Sequence, residues 1–435
     1  MEPPSEPSPP EQRSSRQAIG EWSSRLLEQA GVLRELLRWA VLGALSGVLA
    51  GLSSWVFLKG LERVTEFREH GRQWLVFLLP LAGMGMGAAY HYLGGRSHEG
   101  SNLLLDEIHE PTEWVPRRMA PLVLIGTWVS HLFGASVGRE GTALQMSGSL
   151  TDGLSRLLRL TPADRRMMLI AGLAGGFGAV FGVPVAGAVF ALEVQAVGRM
   201  RFEPIVPALA AAIVGDRVLL ALGYHHAAYA AIVPHVTPWL LLRVAVAGLA
   251  FGLVAATYSG ATHALKAALA RHVPWAPARP LMGGIVIIAL VTVFGHAYQG
   301  LSLPLLARGL TGDHLSFAVF ALKLLFTVAA VGTGFFGGEV TPLFVMGATL
   351  GAALAVPFGL SGPLLAAVGL CAVFGAAANA PIACVIMGVE LFGGGAVVPL
   401  AVGCVVAYIV SGNRGIYSSQ RVFSGKLGSG AANAS

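Results

Sequence analysis

Two short stretches of this chain combine residue types that could do chemistry. In GREGTALQMSG, residues 138–148, Arg139 and Glu140 stand side by side between long apolar runs. In GGEVTPLFVMG, residues 337–347, Glu339 occupies a similar setting. Each stretch has a Gly-rich break, a glutamate, a threonine and then the start of a new helix. The free N–H groups of a first helical turn, with the positive end of the helix dipole, form an anion site that needs no buried cation. Glycine lets the backbone approach the ion without a side chain in the way. A carboxylate at such a place can take the anion position itself. Once protonated it loses its charge, swings away and admits a free anion, so a single residue links anion movement to proton movement. Glu140 is the candidate for that role, and intramembrane acids are functional by default. The plainer alternative is a structural ion pair with Arg139.

The two stretches are copies. They share Gly, Glu, Thr, Leu and a closing Gly at an offset of 199 positions. Further on, FGAVFGVPVAGAVFALE (177–193) aligns with FGAAANAPIACVIMGVE (374–390) at an offset of 197. Pro184 precedes Glu193 by nine residues, and Pro381 precedes Glu390 by nine. Paired short helices broken by Gly and Pro are the sequence sign of a transporter with its site between two repeats. The two turns are expected to meet, with helix N-termini facing one shared volume.

The elements that must position these turns are membrane helices. The 435 residues are 54% hydrophobic and 12% charged, about half the charge of an ordinary globular protein. WAVLGALSGVLAGLSSWVFL reaches the length that spans a bilayer as a helix, and no segment alternates as a membrane barrel strand would. The expected fold class is therefore an all-α polytopic membrane protein. Long candidate spans follow Arg38 and occupy 74–93, 239–265 and 283–307. GTALQMSGSL, VPVAGAVFALEV, VTPLFVMGATLG and APIACVIMGVEL read as pieces too short to cross. The opening MEPPSEPSPPEQRSSRQ reads as a disordered tail. Arg13, Arg16, Arg25, Arg34 and Arg38 precede the first span and place the N-terminus in the cytoplasm. The basic balance is a topology signal, and no nucleic-acid partner is expected. Cys371, Cys384 and Cys404 all lie in apolar segments, which implies no disulfide framework.

GREG at 138–141, FGVPVAGAVFALE, GGEVTP at 337–342 and GIYSSQ at 415–420 resemble the CLC family of anion channels and transporters, over about Arg38 to Gln420. The resemblance implies a CLC-type inverted repeat of tilted and re-entrant helices, assembled as a homodimer with a pathway in each subunit. It divides the chain into a cytoplasmic tail with an amphipathic helix (1–34), two transmembrane repeats (35–222 and 223–422) and a short tail (423–435). It makes Glu140 the gating glutamate and proton carrier, and Tyr417 the tyrosine that helps close the inner side of the ion site. The anion-binding set it implies is Gly100, Ser101, Asn102, Gly138, Arg139, Gly141, Gly338, Glu339, Val340, Thr341 and Tyr417.

Within the family the chain looks most like the fluoride/proton antiporter branch, through GSNLLLDEIHEPTEWVPRRMAPL and through GGEVTP with Val340 where chloride-type members carry Phe. The alternative is a chloride channel or chloride/proton exchanger. Fluoride is small, strongly hydrated and a good acceptor, so its site should offer extra polar donors, and Thr341 and Asn102 would supply them. Two positions depart from the pattern. Ser101 keeps a serine that belongs to the chloride-type turn, and Val194 stands where many exchangers carry an inner proton-relay glutamate. Expected partners are thus fluoride or chloride, protons and the lipid bilayer, with no cofactor, in a bacterial inner membrane.

Other signals are weaker. GTGFFG (332–337) fits a dinucleotide pattern but follows a helical run rather than a strand. Asp106, His109 and Glu110 have metal-ligand spacing yet read as a solvated helix end, and His131 as a packing histidine. Arg156, Arg159, Arg165 and Arg166 form a cytoplasmic basic loop. An intramembrane enzyme would need a nucleophile or a metal set at matching depth, and neither motif is present.

Overall fold

A computed structural model describes residues 15–426, with side chains from Glu28 onward. The expected tail through residue 14, residues 427–435 and the side chains of Arg13, Arg16 and Arg25 lie outside the described residues. The chain is helical throughout, and its order divides evenly. The first half holds α1 (Ser15–Glu69), α2 (Leu79–Ala89), α3 (Ser101–His109), α4 (Met119–Leu132), α5 (Glu140–Leu157), α6 (Pro162–Phe181), α7 (Pro184–Glu193) and α8 (Ile205–Ala221). The second half repeats the count with α9 (Pro238–His272), α10 (Ala278–Phe294), α11 (Leu303–Thr311), α12 (Phe317–Thr333), α13 (Val340–Phe358), α14 (Gly362–Ala378), α15 (Pro381–Phe392) and α16 (Val397–Val410). Two residues of each half, β1 (Ala196–Val197) and β2 (Arg421–Val422), pair in parallel and tie the C-terminal segment to the first half.

Among the described residues, four stretches are long and apolar enough to cross a membrane, beginning at Glu28, Gln73, Pro238 and Val340. One expected span changes helix type along its length, and another is broken. Residues 74–93 start as a 3₁₀ turn, become α2 at Leu79 and loosen into a π turn at Tyr90. Residues 283–307 are two helices, because α10 stops at Gly295, whose φ of +80° leaves the helical region. Conversely, two segments read as short are long helices. GTALQMSGSL belongs to α5, of 18 residues, and VTPLFVMGATLG to α13, of 19. The apolar count ended too early in α5, whose last two turns carry Asp152 and Arg156.

Local chemistry explains the boundaries. Proline opens α6, α7, α14 and α15 within their first two residues, where its missing N–H has no intrahelical partner to lose. Gly182 and Asn379, at the 197 offset, close α6 and α14 in the left-handed conformation. The core between the halves is aromatic. Phe177 of α6 stacks on Phe190 of α7 at 4.3 Å and faces Phe374, its counterpart in α14, at 6.1 Å. Helices α13 and α14 touch backbone to backbone, since a Cβ on Gly347 would meet the Gly369 carbonyl at 2.1 Å. Such close approach through small residues is how helices associate where lipid removes the hydrophobic drive.

Candidate anion site

The two charged turns meet. Gly138 N–H donates to the Gly338 carbonyl at 2.5 Å and Gly338 N–H to the Gly138 carbonyl at 2.8 Å, forming an isolated antiparallel bridge. A Cβ on Gly338 would lie 2.6 Å from Gly141 N and 2.8 Å from Glu140 N, so only glycine fits there. Gly138 and Gly338 thus hold the turns together, and each N–H faces the other's carbonyl instead of an ion.

This bridge corrects the register of the repeat. The sequence match sets Glu140 against Glu339 at an offset of 199, whereas the bridge and the helix starts set Gly138 against Gly338, an offset of 200. Arg139 (φ −117°, ψ −21°) and Glu339 (φ −109°, ψ −15°) are the equivalent N-cap residues of α5 and α13. Glu140 therefore opens its helix one position later than Glu339 does. Identity of residue type drew the two glutamates together in the alignment, but backbone geometry separates them.

The consequence is two different environments. Glu140 is fully buried, and its carboxylate turns to the start of α13. It accepts from the N–H groups of Arg139 and Thr341, both at 3.1 Å, and from the Thr341 hydroxyl. The Arg139 guanidinium stands off, and its Nε, 3.8 Å from Oε1, has no hydrogen-bond partner. Glu339 points elsewhere. Its Oε2 accepts from the buried Tyr258 hydroxyl at 2.8 Å, and Lys266 Nζ lies 3.8 Å from Oε1.

Two cavities, of about 270 Å³ and 340 Å³, are lined by the chain neighbours of Glu140, Gly141 in one and Arg139 in the other. The first is lined by Gly100, Ser101, Asn102, Gly141, Gly338, Glu339, Val340 and Tyr417, which are most of the residues singled out in the sequence. Arg139 and Thr341 line the second, together with Glu62, Tyr224 and His226. Asn102 lines the first cavity, and its amide oxygen accepts from Ser419 N–H at 3.1 Å, which leaves its NH2 group as the donor. Asp106, one turn on, accepts from the Ser419 hydroxyl at 2.9 Å, and Glu110 pairs with Arg421. This face of α3 grips the segment that carries Tyr417, which accounts for the acidic spacing without a metal.

Several structural residues escaped sequence reasoning. Lys323 is fully buried in α12. Its ammonium donates to the hydroxyls of Ser136 and Ser302, both at 2.9 Å, and to the Gly300 carbonyl at 2.8 Å. It thereby pins the segment entering Gly138. A lone lysine in FAVFALKLLFTV was the available signal. Glu193 and Glu390 prove to be crossed caps. Glu193, ending α7, accepts from Ile382 and Ala383 N–H at the start of α15; Glu390, in α15, accepts from Val185 and Ala186 N–H at the start of α7. The matched Pro-to-Glu spacing is the trace of this exchange. His131 is buried, with Nδ1 2.9 Å from the Thr127 carbonyl and Nε2 without a partner among the described residues.

Known proteins are similar to this chain in sequence and fold. The family model described as voltage gated chloride channel matches residues 83–412. A chloride/fluoride channel protein of Pseudomonas syringae pv. tomato is 45% identical over 409 residues, covering 91% of this chain and 89% of that protein. An H(+)/Cl(-) exchange transporter of Cronobacter sakazakii is 25% identical over 448 residues, 91% of this chain and 93% of its own length. The crystal structure of a CLC-type fluoride/proton antiporter matches with a TM-score of 0.86 at 33% identity, covering 89% of this chain and 98% of that one.

Proposed function

The chain belongs to the voltage gated chloride channel family, the CLC proteins, and is a membrane protein of anion transport; from that premise we propose that it exports fluoride in exchange for protons, with Glu140 as gate and proton carrier. The observation that carries this reading is the set of donors around the Glu140 carboxylate. Two backbone N–H groups and the Thr341 hydroxyl converge on it. When Glu140 takes a proton and leaves, the same three donors are free to face an anion. A small, strongly hydrated ion loses most on leaving water and needs such replacements, and charge-assisted hydrogen bonds are the strong ones. The names of two relatives, a chloride/fluoride channel protein and a CLC-type fluoride/proton antiporter, support the choice of fluoride.

Topology follows from charge. Arg34 and Arg38 ahead of the apolar run of α1, and Arg156, Arg159, Arg165 and Arg166 in and beside the α5–α6 connection, put the N-terminus and that connection in the cytoplasm. On this orientation α1 carries Glu62 outward, so the Arg139 cavity is the outer vestibule and the Tyr417 cavity the inner one. The repeats run from 35–222 and 223–422, and two subunits form a homodimer in the bacterial inner membrane. The charged residues of the site act in binding and gating, not in bond-making.

Reconstituted protein should release fluoride from loaded liposomes faster than protein-free vesicles, with one measurable uptake of protons accompanying the efflux. Chloride moving as fast as fluoride under the same conditions would overturn the fluoride reading and leave the family standing. Fluoride efflux with no proton uptake would make the protein a channel.

A further inference from the structure

Beyond Arg139 the outer vestibule adjoins a lobe that a small hydrated anion does not need. Ala227 and Tyr229 line both the vestibule of about 340 Å³ and a further cavity of about 750 Å³. Three helices also pass from one to the other: α11 with Leu306 and then Leu310, α14 with Leu370 and then Leu364, α15 with Leu391 and then Phe392. The rest of the lobe's wall is the strap AAYAAIVP, 227–234, which joins α8 to α9 without regular structure. Among the described residues lining the lobe none is charged, and Val233 on the strap is 82% exposed. An ion that keeps part of its water gains nothing from such a wall. An open apolar patch of this size marks a place where something binds.

The charge lies at the other end. Arg139 is the one lysine or arginine among the described residues of the vestibule lining, and its Nε has no partner. Glu62, the carboxylate of that lining, is turned to Lys59 Nζ at 3.2 Å. Tyr229 stands at the junction, tilted on Phe392 at 5.4 Å. A cation in the deeper cavity and an apolar trough beside it outline a molecule with an anionic head and a hydrocarbon tail.

We propose that the outer vestibule and its lobe form a binding site for an amphiphilic monoanion, an alkyl chain ending in a sulfonate or carboxylate, with its head on Arg139 and its tail along the 227–234 strap. The proposal rests on the transport reading above and on its orientation. The ligand it adds is an inhibitor and not a substrate. Its tail anchors the head in the fluoride exit, and a molecule of this length cannot follow fluoride past the Gly138–Gly338 bridge.

The probes are hexane-, octane- and decanesulfonate, added below their micellar concentrations to right-side-out vesicles while fluoride efflux is read. The half-inhibiting concentration should fall roughly threefold for each added CH2, as expected for burying it. Decyltrimethylammonium, with the same tail and the opposite head, should inhibit at least about tenfold more weakly than decanesulfonate. Inverted vesicles, whose bath meets the inner vestibule, should be insensitive. Ala230→Trp, on an exposed part of the strap that lines the lobe, should leave uninhibited flux unchanged and weaken decanesulfonate more than about tenfold. Arg139→Gln, measured against its own uninhibited flux, should erase the preference for sulfonate over ammonium. Equal potency of the two heads, no dependence on tail length, equal potency from both sides, or undiminished inhibition in Ala230→Trp would overturn the proposal. If wild-type protein moves chloride and not fluoride, the fluoride assignment fails alone, and the same series read on chloride flux decides this one. Binding of labelled decanesulfonate to the protein in bilayer discs, lost in Ala230→Trp, reads the site without any transport.

Discussion

Two glutamates that look like copies in the sequence behave differently in the fold. Glu140 opens α5 and reaches across to the N-terminus of α13, where it is fully buried among donors. Glu339 caps α13 and turns back toward α9, where its side chain is 19% exposed beside Tyr258 and Lys266. A slip of one residue relative to the Gly138–Gly338 bridge makes the difference. On a helix one residue is a rotation of roughly 100°, enough to send a side chain into another compartment. A repeat can thus keep its charge and change its chemistry without altering the backbone around it. One cation accompanies each glutamate, and each stays 3.8 Å away.

That comparison can be broken at several points. The largest effect should come from Gly338→Ala. Its Cβ would meet the backbone nitrogens of Gly141 and Glu140, so the bridge must open. Overpacking of this kind costs about 1–3 kcal/mol, and because it falls on the seat itself, fluoride flux should drop more than about tenfold. Flux and thermal stability measured together would check this, and wild-type flux would show that the bridge is dispensable.

Next is Glu140→Gln. The amide cannot titrate, so proton uptake should vanish, whether fluoride leaks through a side chain swung out or stops behind one parked in the path. Proton uptake at the wild-type ratio would rule Glu140 out as carrier and move the role to Glu339. The matching change, Glu339→Gln, should keep proton uptake coupled to fluoride, with no more than about a tenfold loss of rate. Equal loss of coupling in the two variants would mean that the slip in register does not separate their roles.

The smallest effect should be that of Arg139→Gln. Its guanidinium makes no hydrogen bond to Glu140, so the gate should still carry protons, with flux reduced only about two- to fivefold by the lost positive charge. Abolished coupling in this variant would favour a structural ion pair over a gate. Simultaneous measurement of fluoride efflux and proton uptake distinguishes the two.

Much of this was legible in the residues themselves. Two Gly-rich turns, their helices and their meeting follow from GREG, GGEV and the paired Pro-to-Glu spacings, because glycine and proline mark backbone events directly. Register was not legible, since matching residue types outweighed a one-position difference that only hydrogen bonding settles. The second task of Asn102 was not legible either, since Ser419, whose N–H its amide oxygen accepts, is 317 positions away in the chain. Lys323 was overlooked for a related reason. A lysine in an apolar run shows its importance only when the carbonyls and hydroxyls that neutralise its burial come from two other segments.

The crossed caps of Glu193 and Glu390 have the form of a symmetric dimer contact. In such a contact residue i of one copy meets residue j of the other, and j meets i in return. Here both copies lie on one chain, so the exchange happens within a molecule. Two identical halves meeting this way would bring the same carboxylate to both sides of the axis, and two like charges would crowd one bridge. Joining the halves covalently removes the requirement that they be identical. One half could then keep its acid at the shared seat while the other moved its own acid aside, and a symmetric contact became a pathway with an inside and an outside.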